Sequence, residues 1–199
     1  MGSLVASCYL PEAAAMRKNM VSQRGFTIIE LLVTLAVLGI VLAIAIPSFN
    51  RQIERNGSIA LGEELTSAIN FARIEAIKRR RPISICASNL GGDACGDAAD
   101  WKNGWLVFLD KKAETSADTE VEVVLRQWNG LDQRAEVSLT QNGANINFFR
   151  FDSRGVLARV AGAIGGIEAT AKYTGCLGSA AQSISVGLSG MVSSKVKSC

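Results

Sequence analysis

The chain has 199 residues, 48% of them apolar, which allows one domain of ordinary size beside a strongly hydrophobic segment. The net charge is only +3, which is not the balance of an obvious nucleic-acid binder, and there is no histidine at all. The missing histidine excludes histidine triads, histidine general acid–base catalysis and the commonest zinc ligand together.

In chain order, the first feature is the run from Phe26 to Ile46, twenty-one residues almost wholly apolar. As a helix it rises roughly 31 Å, about one hydrocarbon core. Arg17, Lys18 and Arg24 precede it, and Arg51, Glu54 and Arg55 follow it. The positive-inside rule therefore puts the N-terminus in the cytoplasm and the remainder outside it. A cleaved secretory signal is the rival reading, with Ala43, Ala45 and Ser48 as its cleavage region, but the carboxylate of Glu30 and the position of Pro47 argue against it. Glu30 is costly in a membrane span, about 2.5–3.5 kcal/mol at the centre and less near an end. Either it marks the interfacial end of the helix or it pairs with a cation. The segment itself holds no Lys or Arg. A cut after Gly25 would place the new amine of Phe26 one helical turn before Glu30, within reach in the same chain or in a neighbour.

Residues 48 to 80 continue in helical period. Leu61, Leu65, Ala68, Ile69, Ala72, Ala76 and Ile77 recur at spacings of three and four, with polar residues between them. Gly57 and Gly62 weaken the middle, and Pro82 ends the pattern. Arg79, Arg80 and Arg81 stand at the C-terminal end, where cations suit the helix dipole. A solvated, capping role is favoured for them over contact with nucleic acid. Strand patterns follow at 83–85, 105–109, 120–128, 137–139, 145–151, 170–177 and 183–188, separated by turn-rich stretches. One long helix followed by strands with no helix between them predicts an α+β fold, the amphipathic half of the helix packed on a mostly antiparallel sheet. No metal cluster or phosphate loop stands out, so neither an enzymatic role nor a cofactor is expected.

The stretch Arg24-Gly25-Phe26-Thr27-Ile28-Ile29-Glu30-Leu31-Leu32 resembles the processing site of type IV prepilins and type II secretion pseudopilins. Counted from Phe26, Glu30 is fifth and Pro47 twenty-second, and Gly39 falls where such helices often carry a breaker. The resemblance implies cleavage between Gly25 and Phe26, N-methylation of Phe26 and an assembly role for Glu30. It divides the chain into a leader at 1–25, a transmembrane and assembly helix at 26–47, an amphipathic half at 48–81 and a β-rich pilin domain at 82–199. The leader is long for this family. Met16 and Met20 offer later starts, so residues 1–15 read as a misannotated start, and the lipoprotein-like Val5-Ala6-Ser7-Cys8 lacks the basic and apolar regions such a signal needs.

Cleavage would delete Cys8 and leave Cys86, Cys95, Cys176 and Cys199, an even number that reads as a disulfide framework in an exported domain. Three connectivities are open; local pairing, Cys86 with Cys95 and Cys176 with Cys199, is expected because each pair brackets a loop-like stretch, against the alternative of free buried thiols. Cleavage also removes a net +2 from Arg17, Lys18, Arg24 and Glu12, taking the side-chain charge from +3 to +1.

The order "FARIEAIKRRRPISICAS", "WKNGWLVFLD" and "FDSRGVL" with a late cysteine is similar to the GspH/FimT branch, and Cys199 is similar to the terminal cysteine of FimU-like minor pilins. This implies a minor pilin that helps prime or cap a type IV pilus. Two alternatives stay open: a DNA-binding minor pilin for DNA uptake, and a minor pseudopilin of a type II secretion system. DNA-uptake relatives carry Gly-Arg-x-Arg near the C-terminus, where this chain reads Gly190-Met191-Val192-Ser193. Arg79, Arg80, Arg81, Lys195 and Lys197 remain as weak DNA-contact candidates. The implied partners are major and minor pilins, the prepilin peptidase, the inner-membrane assembly platform and membrane lipid, with DNA left open. The implied location is the inner membrane, single-pass, with the C-terminal domain in the periplasm, and then the fibre.

Overall fold

A computed structural model describes residues 25–178 and 180–199. The expectations for the leader, including Cys8, Met16 and Met20, lie outside the described residues. The chain divides into two compact units, Met1–Ala43 and Ile44–Cys199.

One helix, α1, runs from Ile28 to Arg79 without a break at Gly39 or Pro47. Its second part buries most of the face read from the sequence: Leu61, Leu65, Ala68, Ile69, Ala72 and Ala76 are all core residues, whereas Ile77, expected on that face, is 47% exposed. Gly57 and Gly62, expected to weaken this part, are instead points of close approach. A Cβ at Gly57 would stand 2.5 Å from the ring of Tyr173, and one at Gly62 would stand 2.6 Å from Cβ of Gln182. The helix ends before Pro82 because Arg80 turns to a left-handed φ of 53°. The N–H of Arg81 then donates to the carbonyl of Ala76 at 3.3 Å, the closing bond of a Schellman motif with arginine where glycine is usual.

Among the described residues nine strands follow: β1 (Ile83–Ala87), β2 (Gly104–Asp110), β3 (Val121–Asn129), β4 (Ala135–Gln141), β5 (Ala144–Asn145), β6 (Phe148–Phe151), β7 (Ile167–Tyr173), β8 (Ala181–Val186) and β9 (Val192–Lys197). Every ladder is antiparallel. They form two sheets where one was expected, ordered β3-β2-β1-β6 and β5-β4-β7-β8-β9. The division falls inside the run 145–151, which breaks after Asn145 so that β5 pairs in one sheet and β6 in the other. The strand β9 was not anticipated: its burial pattern is almost wholly exposed, so no alternation marks it. One hydrophobic core joins α1 to both sheets, through Ile85, Val107 and Phe149 on one side and Leu139, Ala169 and Ile184 on the other.

The central strands β1 and β2 are buried on both faces. Alternate residues Ile83, Ile85, Trp105 and Val107 enter the main core. Cys86, Leu106 and Phe108 form a second small cluster on the opposite face. A disulfide from Cys86 to Cys95 crosses that face. At its other end stands a buried ion pair, Arg150 with Asp110 at 2.8 Å, both side chains fully buried. Arg150 also donates to four backbone carbonyls, those of Ala113 (2.8 Å), Glu114 (3.1 Å), Ser116 (3.1 Å) and Asp118 (2.8 Å). Asp110 accepts from the hydroxyl of Ser84 at 2.6 Å and from the backbone N–H groups of Lys112 and Glu120. A single guanidinium thus fastens the 111–120 loop over the outer face. Burial pushes the Asp110 carboxyl up, but the bonds from Ser84, Lys112, Glu120 and Arg150 outweigh it and hold it below its ordinary 3.8.

Removing one partner of such a pair leaves an uncompensated buried charge, a loss of about 3–5 kcal/mol. Urea unfolding of the full chain in detergent at neutral pH should show that loss for both Arg150→Met and Asp110→Asn. Because the folded pKa of Asp110 is depressed, its contribution is complete above pH 3.8 and is lost as pH falls below that value through the folded one. Asp110→Asn should therefore remove part of the acid sensitivity below pH 3.8, and an unchanged acid profile would refute this account.

Candidate functional site

The residues around the expected cut lie at the start of α1. Gly25, Phe26 and Thr27 precede the helix, and Phe26 is 78% exposed. Thr27 caps it: its Oγ1 accepts the N–H of Glu30 at 3.3 Å, and its carbonyl accepts the N–H of Leu31 at 3.1 Å. Thr27-x-x-Glu30 is a capping-box pattern, a signal present in the sequence and missed there. It gives Glu30 a local reason to stand where it does, since a carboxylate in the first turn complements the positive end of the helix dipole.

From Ile28 to Ile46 the helix is exposed at every position. Its most hydrophobic window has a mean hydropathy of 2.8 and none of it is buried within the chain. Length and composition suffice to cross a membrane. Gly39 has no neighbour within 4 Å that a side chain would meet, so nothing in the chain itself requires a glycine there. At Pro47 the missing N–H leaves one ladder bond unmade, and the carbonyl of Pro47 accepts from Nε of Arg51 at 3.2 Å.

The four described cysteines form two local disulfides, Cys86–Cys95 and Cys176–Cys199, the second closing a separation of 23 residues. The N–H of Cys199 donates to the carbonyl of Gly178 at 2.9 Å, so the C-terminal residue is held by both its sulfur and its backbone.

The basic candidates are not brought together. Arg79 pairs with Glu75 at 2.5 Å, and Arg81 makes a two-pronged contact with Glu122, at 3.2 and 2.6 Å. The hydrogen bond from Arg79 lowers the Glu75 pKa, and that from Arg81 lowers the Glu122 pKa, as expected of carboxylates occupied by guanidinium groups. Lys195 and Lys197 lie on β9, the edge of the other sheet. Lys197 pairs with Ala181, next to the Gln182 that approaches Gly62. From Gly62 to Arg79 the helix rises roughly 25 Å. Two of the three arginines are thus neutralised, and the lysines stand at the other end of the packed helix. Among the described residues no group of His, Cys, Asp and Glu side chains is placed to hold a metal ion.

Comparison with known proteins agrees with this geometry. Residues 20–46 match the prokaryotic N-terminal methylation motif, and residues 61–190 match the family of the type II transport protein GspH. The pilin-like protein PilA1 of Thermus thermophilus is 28% identical over 140 residues, covering 69% of this chain and 81% of that protein. Two crystal forms of the type IV minor pilin FimU of Pseudomonas aeruginosa share the fold. One has a TM-score of 0.55 at 22% identity, covering 73% of this chain and 97% of that one; the other has a TM-score of 0.50 at 20% identity, covering 70% and 98%. The long N-terminal helix packed on antiparallel sheets is therefore a pilin-like α+β fold, and the role it belongs with is structural and not enzymatic. With its methylation motif, its family match over residues 61–190 and its FimU-like fold, the chain belongs to the GspH family of type II pseudopilins and type IV minor pilins.

Proposed function

We propose that the chain is cut between Gly25 and Phe26, N-methylated on Phe26, and incorporated as a minor pilin that helps prime or cap a type IV pilus. The observation that carries this reading is the uncovered helix of Ile28–Ile46 with a single carboxylate, Glu30, in its first turn. Such a surface is stable only in lipid or against other apolar helices. The partners that follow are other pilins, the prepilin peptidase and the inner-membrane assembly platform. The single-pass orientation, cytoplasmic N-terminus and periplasmic domain, rests on the flanking charges. Service as a minor pseudopilin of a type II secretion system is the second reading, favoured by the name of the family matched over residues 61–190. DNA uptake is disfavoured, because Arg79 and Arg81 are spent on Glu75 and Glu122.

Glycine alone offers a protease a backbone without a Cβ at residue 25. Co-expression of Gly25→Val with the prepilin peptidase should leave the full-length precursor; a normally processed product would sink the assignment.

Glu30 has two candidate roles that one comparison separates. Loss of the Thr27 cap costs the helix about 1 kcal/mol, and if Glu30 merely helped start the helix, Thr27→Ala and Glu30→Ala would behave alike. If Glu30 neutralises the amine of a neighbouring Phe26, only Glu30→Ala should be strongly depleted from sheared pili, with membrane insertion intact. Equal recovery of both variants in the fibre fraction would contradict the assembly role.

Titration of the domain from Arg51 onward with duplex DNA at two salt concentrations should give no submicromolar binding at ~150 mM salt. Tight binding with a steep salt slope would instead favour DNA uptake.

A further inference from the structure

Two sheets have four outer edges, and a free edge is a template for a further strand unless something blunts it. Three of the four are blunted. The ladder between β2 and β3 slips register twice, between Val107 and Phe108 and between Leu109 and Asp110. Beyond β6 the chain returns on itself: Phe151 bridges to Leu157, and the N–H of Ala158 donates to the carbonyl of Arg150 at 2.8 Å. The strand β5 has two residues, and β4 behind it is flanked by Ala99 and Lys102. The remaining edge, β9, is different. Its six residues pair with β8 in unbroken register, from Val192 with Val186 to Lys197 with Ala181. No strand lies beyond it among the described residues. Its far end is pinned, since Cys199 is bonded to Cys176 and donates its N–H to the carbonyl of Gly178.

The hairpin fixes which groups face outward. The N–H of Gly187 donates to the carbonyl of Met191 at 2.9 Å, so these opposed residues are a bonded pair. Bonded and non-bonded pairs alternate along an antiparallel ladder. Val192, Ser194 and Val196 therefore turn their N–H and C=O groups to the open edge. Val192 packs against the core, and Ser194 and Val196 share its face, while Ser193, Lys195 and Lys197 stand on the other. From Gly187 to Cys199 there is no carboxylate side chain. Neither lysine belongs to an ion pair among the described residues.

Lysines on an edge strand turn most strands away, but a guard made only of charge is selective. An antiparallel strand with carboxylates two residues apart would set one opposite each of Lys195 and Lys197. An apolar residue between them would lie beside Val196, which is 55% exposed. A second copy of this chain has no such strand to offer. Its carboxylates alternate only at Asp118, Glu120 and Glu122. Glu120 is already paired with Lys111 and Lys112, and Glu122 with Arg81.

We propose that β9 is a docking edge for a strand of another protein, an extended segment antiparallel to β9 with two carboxylates at alternate positions facing Lys195 and Lys197. The backbone ladder supplies the affinity and the lysines select the partner. The contact involves only the globular unit, so it stands apart from cleavage at Gly25 and from the choice between pilus and secretion system.

The test uses the full chain in detergent and a fluorescent peptide, Glu-Val-Glu-Thr-Thr-Val, capped at both ends, whose first and third residues would lie opposite Lys197 and Lys195. Anisotropy measures binding and amide hydrogen exchange locates it. The peptide should bind and should slow exchange at Ser194 and Val196 about tenfold. Lys195→Glu combined with Lys197→Glu should weaken binding about tenfold and should instead accept Lys-Val-Lys-Thr-Thr-Val. Val196→Pro removes one outward N–H and none of the bonds to β8, so it should abolish binding with near-ultraviolet circular dichroism unchanged. Should that variant disturb the fold, the charge exchange decides alone. Absence of protection at millimolar peptide would overturn the proposal. So would undiminished binding by a folded Val196→Pro, which would mean charge attraction without strand pairing. Equal binding of both peptides to the wild type would overturn the role of the lysines. Protection of β9 by duplex DNA and not by the peptide would overturn the proposal in favour of nucleic acid.

Discussion

The globular unit is organised by how closely the second part of α1 approaches two sheets at once. Gly57 and Gly62 leave no room for a Cβ against Tyr173 and Gln182. Ala68, Ala72 and Ala76 are fully buried in the same helix. Small residues let the helix backbone sit near the sheets, and only at that range do Leu61, Leu65 and Ile69 reach side chains from both. Neither sheet shares a ladder with the other, so the helix and its core are what join them. The glycines that cost helix propensity are thus repaid in packing.

The same arrangement leaves the far side of β1 and β2 to be covered by other means. A second helix would be the usual cover. Here a short disulfide loop and a loop gathered onto Arg150 serve instead. The guanidinium suits this because it is planar, permanently charged and carries five donors, so it can meet a carboxylate and several carbonyls together. Such a buried pair often gives no more net energy than apolar residues of the same volume would. What it provides is one definite path for a loop that has few apolar side chains of its own.

Much of this was legible in the residues, for identifiable reasons. The amphipathic part of α1 was readable because a helix stripe repeats within a few residues, and the strands in the middle of each sheet because at least one face is apolar. The resemblance at the N-terminus was readable because it depends on spacing along one helix and on no tertiary contact. The division into two sheets was hidden, since Asn145 to Phe151 has the composition of one strand and the break comes from pairing with distant partners. The exposed strand β9 lacks any face to reveal it. Arg150 resembled any other arginine, because Ser84, Asp110 and the carbonyls that surround it meet only after folding. The opposite holds for Thr27, whose cap is local and whose pattern lay open in four consecutive residues.

That cap bears on what a peptidase would change. Thr27 closes the helix from within the segment that a cut after Gly25 would retain, and the described ladder uses no atom of Gly25 or Phe26. Scission there would leave the hydrogen bonds of the helix as they were. It would exchange a neutral amide for an amine, positively charged when protonated, one turn from Glu30. At the start of the helix, maturation would then be a change of charge that leaves the hydrogen bonds in place: beside Glu30, a subunit ready to assemble would carry an ammonium where its precursor carries an amide.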